Sequence, residues 1–192
     1  MSTDIHISDA DLFQSAIPSD LIISTRQPSK VPFGEDSLEL HAARIMLLLK
    51  YAGGRTSSIV GRTKLAKLDF FIRYPSYLSK ATGNEYVDSV STDSPMIRYK
   101  YGPWDEQYYN IFALLIAKEL ISIEPTKKGD KFSLTKRGKA AVDELETLDF
   151  EELIERCKVV NGLFKGKSGT YIKNYIYTNY PEIVAKQLGD VI

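Results

Sequence analysis

Between Ile121 and Leu148 the chain switches from one hydrophobic period to another within a few residues. Ile121 and Ile123 alternate with other side chains, the polar turn Thr126-Lys127-Lys128-Gly129-Asp130 follows, and Phe132 and Leu134 resume the alternation. Period two interrupted by a glycine-bearing turn predicts a two-stranded hairpin. Directly behind it, Thr135 is placed to cap a helix whose Val142, Leu145 and Leu148 recur at helical spacing and are expected to return to a core.

Three helices precede the hairpin. Asp36 and Glu39 have capping-box spacing, Leu38, Ala42, Ile45 and Leu49 form a stripe, and Gly53-Gly54 closes the first helix. The second is predicted over Thr63 to Tyr74, with Leu65, Leu68 and Ile72 inward and Pro75 as its stop. Ser79 to Ser94, polar and turn-rich, reads as an inserted loop. A third helix is expected from Asp105 to about Lys118, where Asp105 and Glu106 suit the N-terminal dipole and Ile111, Leu114 and Leu115 face inward. Helix, helix, helix, hairpin, capped helix is the order of a winged helix. The fold class expected is therefore mainly α with a small β-hairpin, a winged helix-turn-helix core carrying a C-terminal helical extension.

That extension should contain a helix opened by Glu151, Glu152 and Glu155 and ending near Val160. A glycine-broken loop from Asn161 to Gly169 then leads to a tyrosine-rich helix, Thr170 to Tyr180, closed by Pro181. Tyr171/Tyr175 and Ile172/Ile176 lie one turn apart, so one face of this helix must cover something. The organisation read from sequence is an acidic N-terminal arm over residues 1–36, a winged-helix domain over 37–149 and a helical extension over 150–192.

Lysines and arginines balance the acids, 25 against 25, so net charge points to neither nucleic acid nor membrane. The distribution is uneven: Met1 to Leu40 sets seven acids against Arg26 and Lys30, whereas Arg55 to Lys80 sets six bases against Asp69 alone. The single Cys157 excludes an internal disulfide and a cysteine-built zinc site, and is expected as a small buried hydrophobe. No apolar run approaches the roughly 20 residues that span a bilayer, and no basic-then-apolar leader opens the chain. A cytoplasmic protein without a membrane partner is expected.

Catalysis finds few candidates. His6 lies in the arm, His41 lies within the first helix as an expected helix-surface or interface residue, and no carboxylate pair has a spacing that would join them. Asn161 to Ser168, NGLFKGKS, differs from a phosphate-binding loop by an asparagine at the first glycine, but the expected context lacks the preceding strand and parallel sheet such a loop needs. It reads as a helix connection, with nucleotide binding through Lys167 the remote alternative. The expectation is a non-enzyme with no catalytic, cofactor-binding or metal-ligating residue.

Reading base edges calls for Arg, Lys, Asn or Gln on the third helix, which offers Glu106, Gln107, Asn110, Lys118 and Glu119 beside Tyr108 and Tyr109. Phosphate-type contacts are better supplied, by Arg62, Lys64, Lys67 and Arg73 along the second helix and Lys127, Lys128 and Lys131 at the wing. These are either contacts to the backbone of double-stranded DNA or solvated faces. Lys136, Arg137 and Lys139 in the first turn of the capped helix oppose its dipole at roughly a few tenths of a kcal/mol per exposed charge, which a partner's acids or phosphates would offset.

The densest aromatic stretch is Tyr99 to Asn110, YKYGPWDEQYYN. Arg98 and Lys100 alternate with Tyr99 and Tyr101, so cations and rings fall on opposite faces, which argues against stacking on single-stranded bases. Two readings stay open. Trp104 and one tyrosine fill the joint between the inserted loop and the third helix, or the rings dock on another protein. The second makes Tyr99, Tyr101, Trp104, Tyr108 and Tyr109, together with Tyr171 and Tyr175 of the last helix, candidate interface residues.

Four ordered segments also carry a resemblance: KLAKLDFFIRYPSYL (Lys64 to Leu78), RYKYGPWDEQYY (Arg98 to Tyr109), FSLTKRGKAA (Phe132 to Ala141) and FKGKSGTYIKNYIYTNYPEI (Phe164 to Ile183). From about Ser37 to Ile183 the chain resembles the small middle components of bacterial ABC three-component systems, among them the small subunit of the Lamassu anti-phage and anti-plasmid systems. The resemblance implies a winged-helix accessory subunit bound to an SMC-like coiled-coil ATPase, alongside an effector such as a nuclease. It implies no catalytic residue. The rival expectation is a free-standing winged-helix transcriptional regulator that dimerises and binds an operator.

Overall fold

A computed structural model describes residues 38–86, 95–148 and 150–192. The acidic arm, Asp36 of the expected capping box and residues 87–94 of the expected insert lie outside the described residues. In chain order the elements are α1 (Leu38–Ala52), β1 (Ser58–Val60), α2 (Arg62–Arg73), α3 (Pro75–Thr82), β2 (Ile97–Tyr99), β3 (Gly102–Trp104), α4 (Tyr108–Ala117), β4 (Ile121–Glu124), β5 (Lys131–Leu134), α5 (Lys136–Leu145), α6 (Glu151–Phe164), α7 (Gly169–Asn179) and α8 (Pro181–Ala185). The fold is mainly helical, with two small antiparallel sheets.

Every residue of α1 from His41 to Leu49 is buried, and a helix covered on all sides has to be central. It packs against α6, α4 and α5. A short 3-10 turn, Gly54–Thr56, carries the chain from α1 into β1. A Cβ on Gly53 would stand 2.2 Å from the Leu49 carbonyl oxygen and 2.3 Å from the Ser58 amide nitrogen, so this exit admits only glycine.

The predicted hairpin forms as β4 and β5, with Ile121 opposite Leu134 and Ile123 opposite Phe132. Its turn closes through paired backbone bonds between Thr126 and Gly129, whose φ of 108° requires glycine. β1 adds to the other edge of β5, Ile59 opposite Phe132, giving the order β1-β5-β4. Helix, strand, helix, helix and hairpin in this sheet order are compatible with a winged helix-turn-helix. Thr135 caps α5 by accepting from the Gly138 amide at 2.9 Å. Gly138 is required there, since a Cβ would meet the Leu120 carbonyl oxygen at 1.9 Å.

Three local expectations are corrected. Part of the predicted insert is helical: Pro75 starts α3, Leu78 is buried beneath it, and Gly83 in the left-handed region ends it. α6 runs on to Phe164 through Asn161 and Gly162, because Ile154, Cys157, Val160 and Phe164 keep one buried face. The phosphate-loop look-alike is therefore half helix, and its Ser168 caps α7 by accepting from the Tyr171 amide. Leu148 is exposed, because α5 stops at Leu145 and carries it past the core. Ile172 and Ile176 are fully buried where α7 packs on α2, and the buried apolar residues from Ala42 to Ile183 form one core.

Candidate functional site

The aromatic stretch folds into a hairpin and the helix that follows it. β2 and β3 pair with Ile97 opposite Trp104 and Tyr99 opposite Gly102, and the turn reverses on Gly102, whose φ is 115°. Trp104 is half-buried at the centre, with the Tyr99 ring at 6.0 Å, Tyr109 at 6.1 Å and Tyr108 edge-on at 4.9 Å. The outer edge of β2 is occupied by the last residues of the chain: the Arg98 amide donates to the Asp190 carbonyl and the Ile192 amide to that of Met96. Tyr99, Tyr101 and Tyr109 are exposed, the last two at 61 % each.

α4 carries no charged residue. Its outward face presents Tyr109, Asn110, Ala113, Ile116 and Ala117, with Ile116 47 % exposed. Spacing of 0, +4, +7 and +8 makes Tyr109, Ala113, Ile116 and Ala117 one apolar stripe. The helix expected from Asp105 to about Lys118 includes the charges Glu106 and Lys118, which lie outside α4 and mask the stripe in the sequence.

Beneath the stripe lies a buried ionic network. Asp69, fully buried on α2, accepts from Arg44 Nε at 2.7 Å and from the Tyr108 hydroxyl at 2.8 Å, and Arg73 Nε stands 3.5 Å away. Arg73 also donates to Asp105 and lies 3.2 Å from His41 Nδ1. Burial pushes the Asp105 carboxyl up, but the His41 hydrogen bond, the Arg73 charge and the Gln107 amide outweigh it and bring it down to about 2. The network ties α1, α2 and the start of α4 together, so the orientation of the exposed stripe is set from inside.

This geometry corrects several expectations. Tyr108 is not at the surface: its ring stacks on Phe112 at 5.7 Å and its hydroxyl is committed to Asp69, so it positions neighbours and touches nothing outside. His41 is a buried network member and not a helix-surface residue. Tyr175 turns inward, half-buried, onto Phe164 at 5.3 Å and Phe71 at 6.2 Å. Tyr171 stays exposed, with Lys167 over its ring.

The residues read as DNA-backbone contacts do not share one free face. Lys67 is buried and Arg73 belongs to the network. Arg62 pairs with Asp130 at 2.7 Å and donates to the Tyr109 hydroxyl at 3.1 Å, so it braces the stripe against the wing. The Asp130 hydrogen bond raises its pKa despite partial burial. Lys64 is half-buried, and that burial lowers its pKa. Lys131 pairs with Glu124 at 3.6 Å. Lys127 and Lys128 are exposed at the wing tip.

Among the described residues no helix is long and apolar enough to cross a membrane. Comparison with curated proteins and with solved structures gave no match. Residues 37–186 match the family model described as ABC-three component (ABC-3C) system Middle Component 2, MC2. The match covers the central helix, the β4–β5 hairpin, the aromatic hairpin with α4, and α7, so the chain belongs to the Middle Component 2 family of ABC-three component systems.

Proposed function

We propose that this protein is a non-enzymatic accessory subunit that binds an SMC-like coiled-coil ATPase and an effector, a nuclease in this reading, within an anti-phage or anti-plasmid complex of the Lamassu type. Membership of a middle-component family supports protein partners, and the finer assignment follows from the likeness of the Lamassu small subunit to the middle components that the four sequence segments resemble. The subunit keeps ATPase and effector in an inactive arrangement until foreign DNA is engaged.

The observation that carries the docking reading is α4. In a winged helix-turn-helix it would take the place of a reading helix, yet its outward face is apolar and aromatic and has no cation for an anionic groove. Exposed Tyr beside Ile and Ala is the composition of an interface centre. Lys127 and Lys128 at the wing tip supply the contact to DNA backbone in this reading.

The test is the double substitution Tyr101→Ala with Tyr109→Ala, both on exposed rings, which leaves Trp104 packed edge-on against Tyr108. Co-purification with the ATPase should be lost while the circular dichroism and melting temperature stay close to wild type. Unchanged co-purification overturns the docking role. A homodimer with a discrete operator footprint would identify a free-standing transcriptional regulator.

A further inference from the structure

α2 and α7 both pack against β3, and where they meet the hairpin three cations converge. Lys67 on α2 is 1 % exposed. Its ammonium and the Tyr177 ring both border Gly102: the position a Cβ would take there is 3.9 Å from Lys67 Nζ and 3.7 Å from Tyr177 Cε1. Arg98 lies over the same ring at 5.4 Å and Lys173 at 5.7 Å. Arg98 donates one terminal nitrogen to the Tyr99 carbonyl at 2.5 Å. Its Nε is buried with no hydrogen-bond partner among the described residues.

Among the described residues no carboxylate is among the charges that act on Lys67. Burial, then Lys173 and Arg98, pull the Lys67 ammonium down to about 7. A buried ammonium next to two more cations is costly, and proteins keep such clusters where an anion completes them. Lys67 is fully buried, whereas Arg98, Lys173 and Tyr177 are only half-buried and reach toward solvent. A tetrahedral oxyanion with two negative charges can meet two ammonium groups and an arginine fork at once, whereas a carboxylate offers one charge and two oxygens.

We infer that Lys67, Arg98 and Lys173, grouped around Tyr177 at the root of the β2–β3 hairpin, form a binding site for a phosphate-monoester dianion. The site shares no residue with the α4 stripe, and its existence does not depend on what that stripe binds.

The test uses the full chain at constant ionic strength, melted with inorganic phosphate, methyl phosphate, dimethyl phosphate or chloride, with phosphorus NMR as a direct readout of binding. Phosphate and methyl phosphate should raise the melting temperature saturably. Dimethyl phosphate should bind at least about tenfold more weakly, because it carries one charge fewer. Lys67→Met should melt above wild type without anion and lose the phosphate response. Arg98→Gln and Lys173→Gln should each weaken binding about tenfold, and they carry the test if Lys67→Met does not fold. A response shared by chloride, or kept by all three variants, overturns the site. Equal binding of dimethyl phosphate overturns the monoester assignment and indicates a nucleic-acid backbone contact.

Discussion

Replacing Asp69 by Asn tests the internal brace directly, because it keeps the shape of the side chain and removes only its charge. Asp69 is fully buried, accepts from Arg44 at 2.7 Å and Tyr108 at 2.8 Å, and has Arg73 at 3.5 Å. Asparagine can still accept from Tyr108, but two guanidinium groups lose the carboxylate they share. Breaking a buried pair from one side costs roughly 3–5 kcal/mol. For a chain of this size each kcal/mol lowers the melting temperature by roughly 2–4 °C, so Asp69→Asn should melt about 10 °C below wild type. Tyr108→Phe removes one hydrogen bond to a charged acceptor, roughly 1.5–3 kcal/mol. Because both residues act on one carboxylate, the double variant should lose less than the sum of the singles. Calorimetric melts of the four proteins decide it. A loss under about 1 kcal/mol for Asp69→Asn, or strict additivity, would refute the network as a stabilising unit.

Two further outcomes follow from the same interior. The Asp105 carboxyl is held at about 2, below its ordinary 3.8, so the unfolded chain takes up that proton first. Its contribution, about 2 kcal/mol, is present above pH 4 and lost as pH falls toward 2. Urea midpoints should therefore drop more steeply over that window in wild type than in Asp105→Asn, and parallel profiles would sink the assignment. Gly138→Ala drives a Cβ into the Leu120 carbonyl oxygen and should cost about 3 kcal/mol by parting α5 from β4. A denaturant midpoint close to wild type would show that the joint can yield.

The parts of the fold that sequence made legible are those fixed by neighbours along the chain. The β4–β5 hairpin, the Thr135 cap and the Gly53 stop each depend on contacts between residues close along the chain. β1 is not legible in the sequence because Ser58-Ile59-Val60 is too short to show a period, and its partner strand begins at Lys131. The last turn of α6 is not legible because local propensity disfavours helix at Asn161-Gly162, whereas Phe164 packing on Phe71 at 5.0 Å holds that turn. Tyr108 was legible as a core residue, since it shares helical spacing with Ile111, Phe112 and Leu115, all buried. Its aromatic neighbours drew it toward the surface reading. The ionic network joins residues from His41 to Tyr108 that no periodicity connects. Its one trace was Asp69, the lone acid between Arg55 and Lys80, set among Leu68, Phe70 and Phe71.

Whether α4 faces protein or DNA is decided most directly by placing a benzophenone amino acid at Ala113, in the middle of the exposed stripe, and irradiating cells that express the whole system. The docking reading predicts an adduct with another polypeptide of the same system, identified by mass spectrometry and lost when Tyr109 or Ile116 becomes glutamate. An adduct with DNA, or none with any other component of the system, would contradict it.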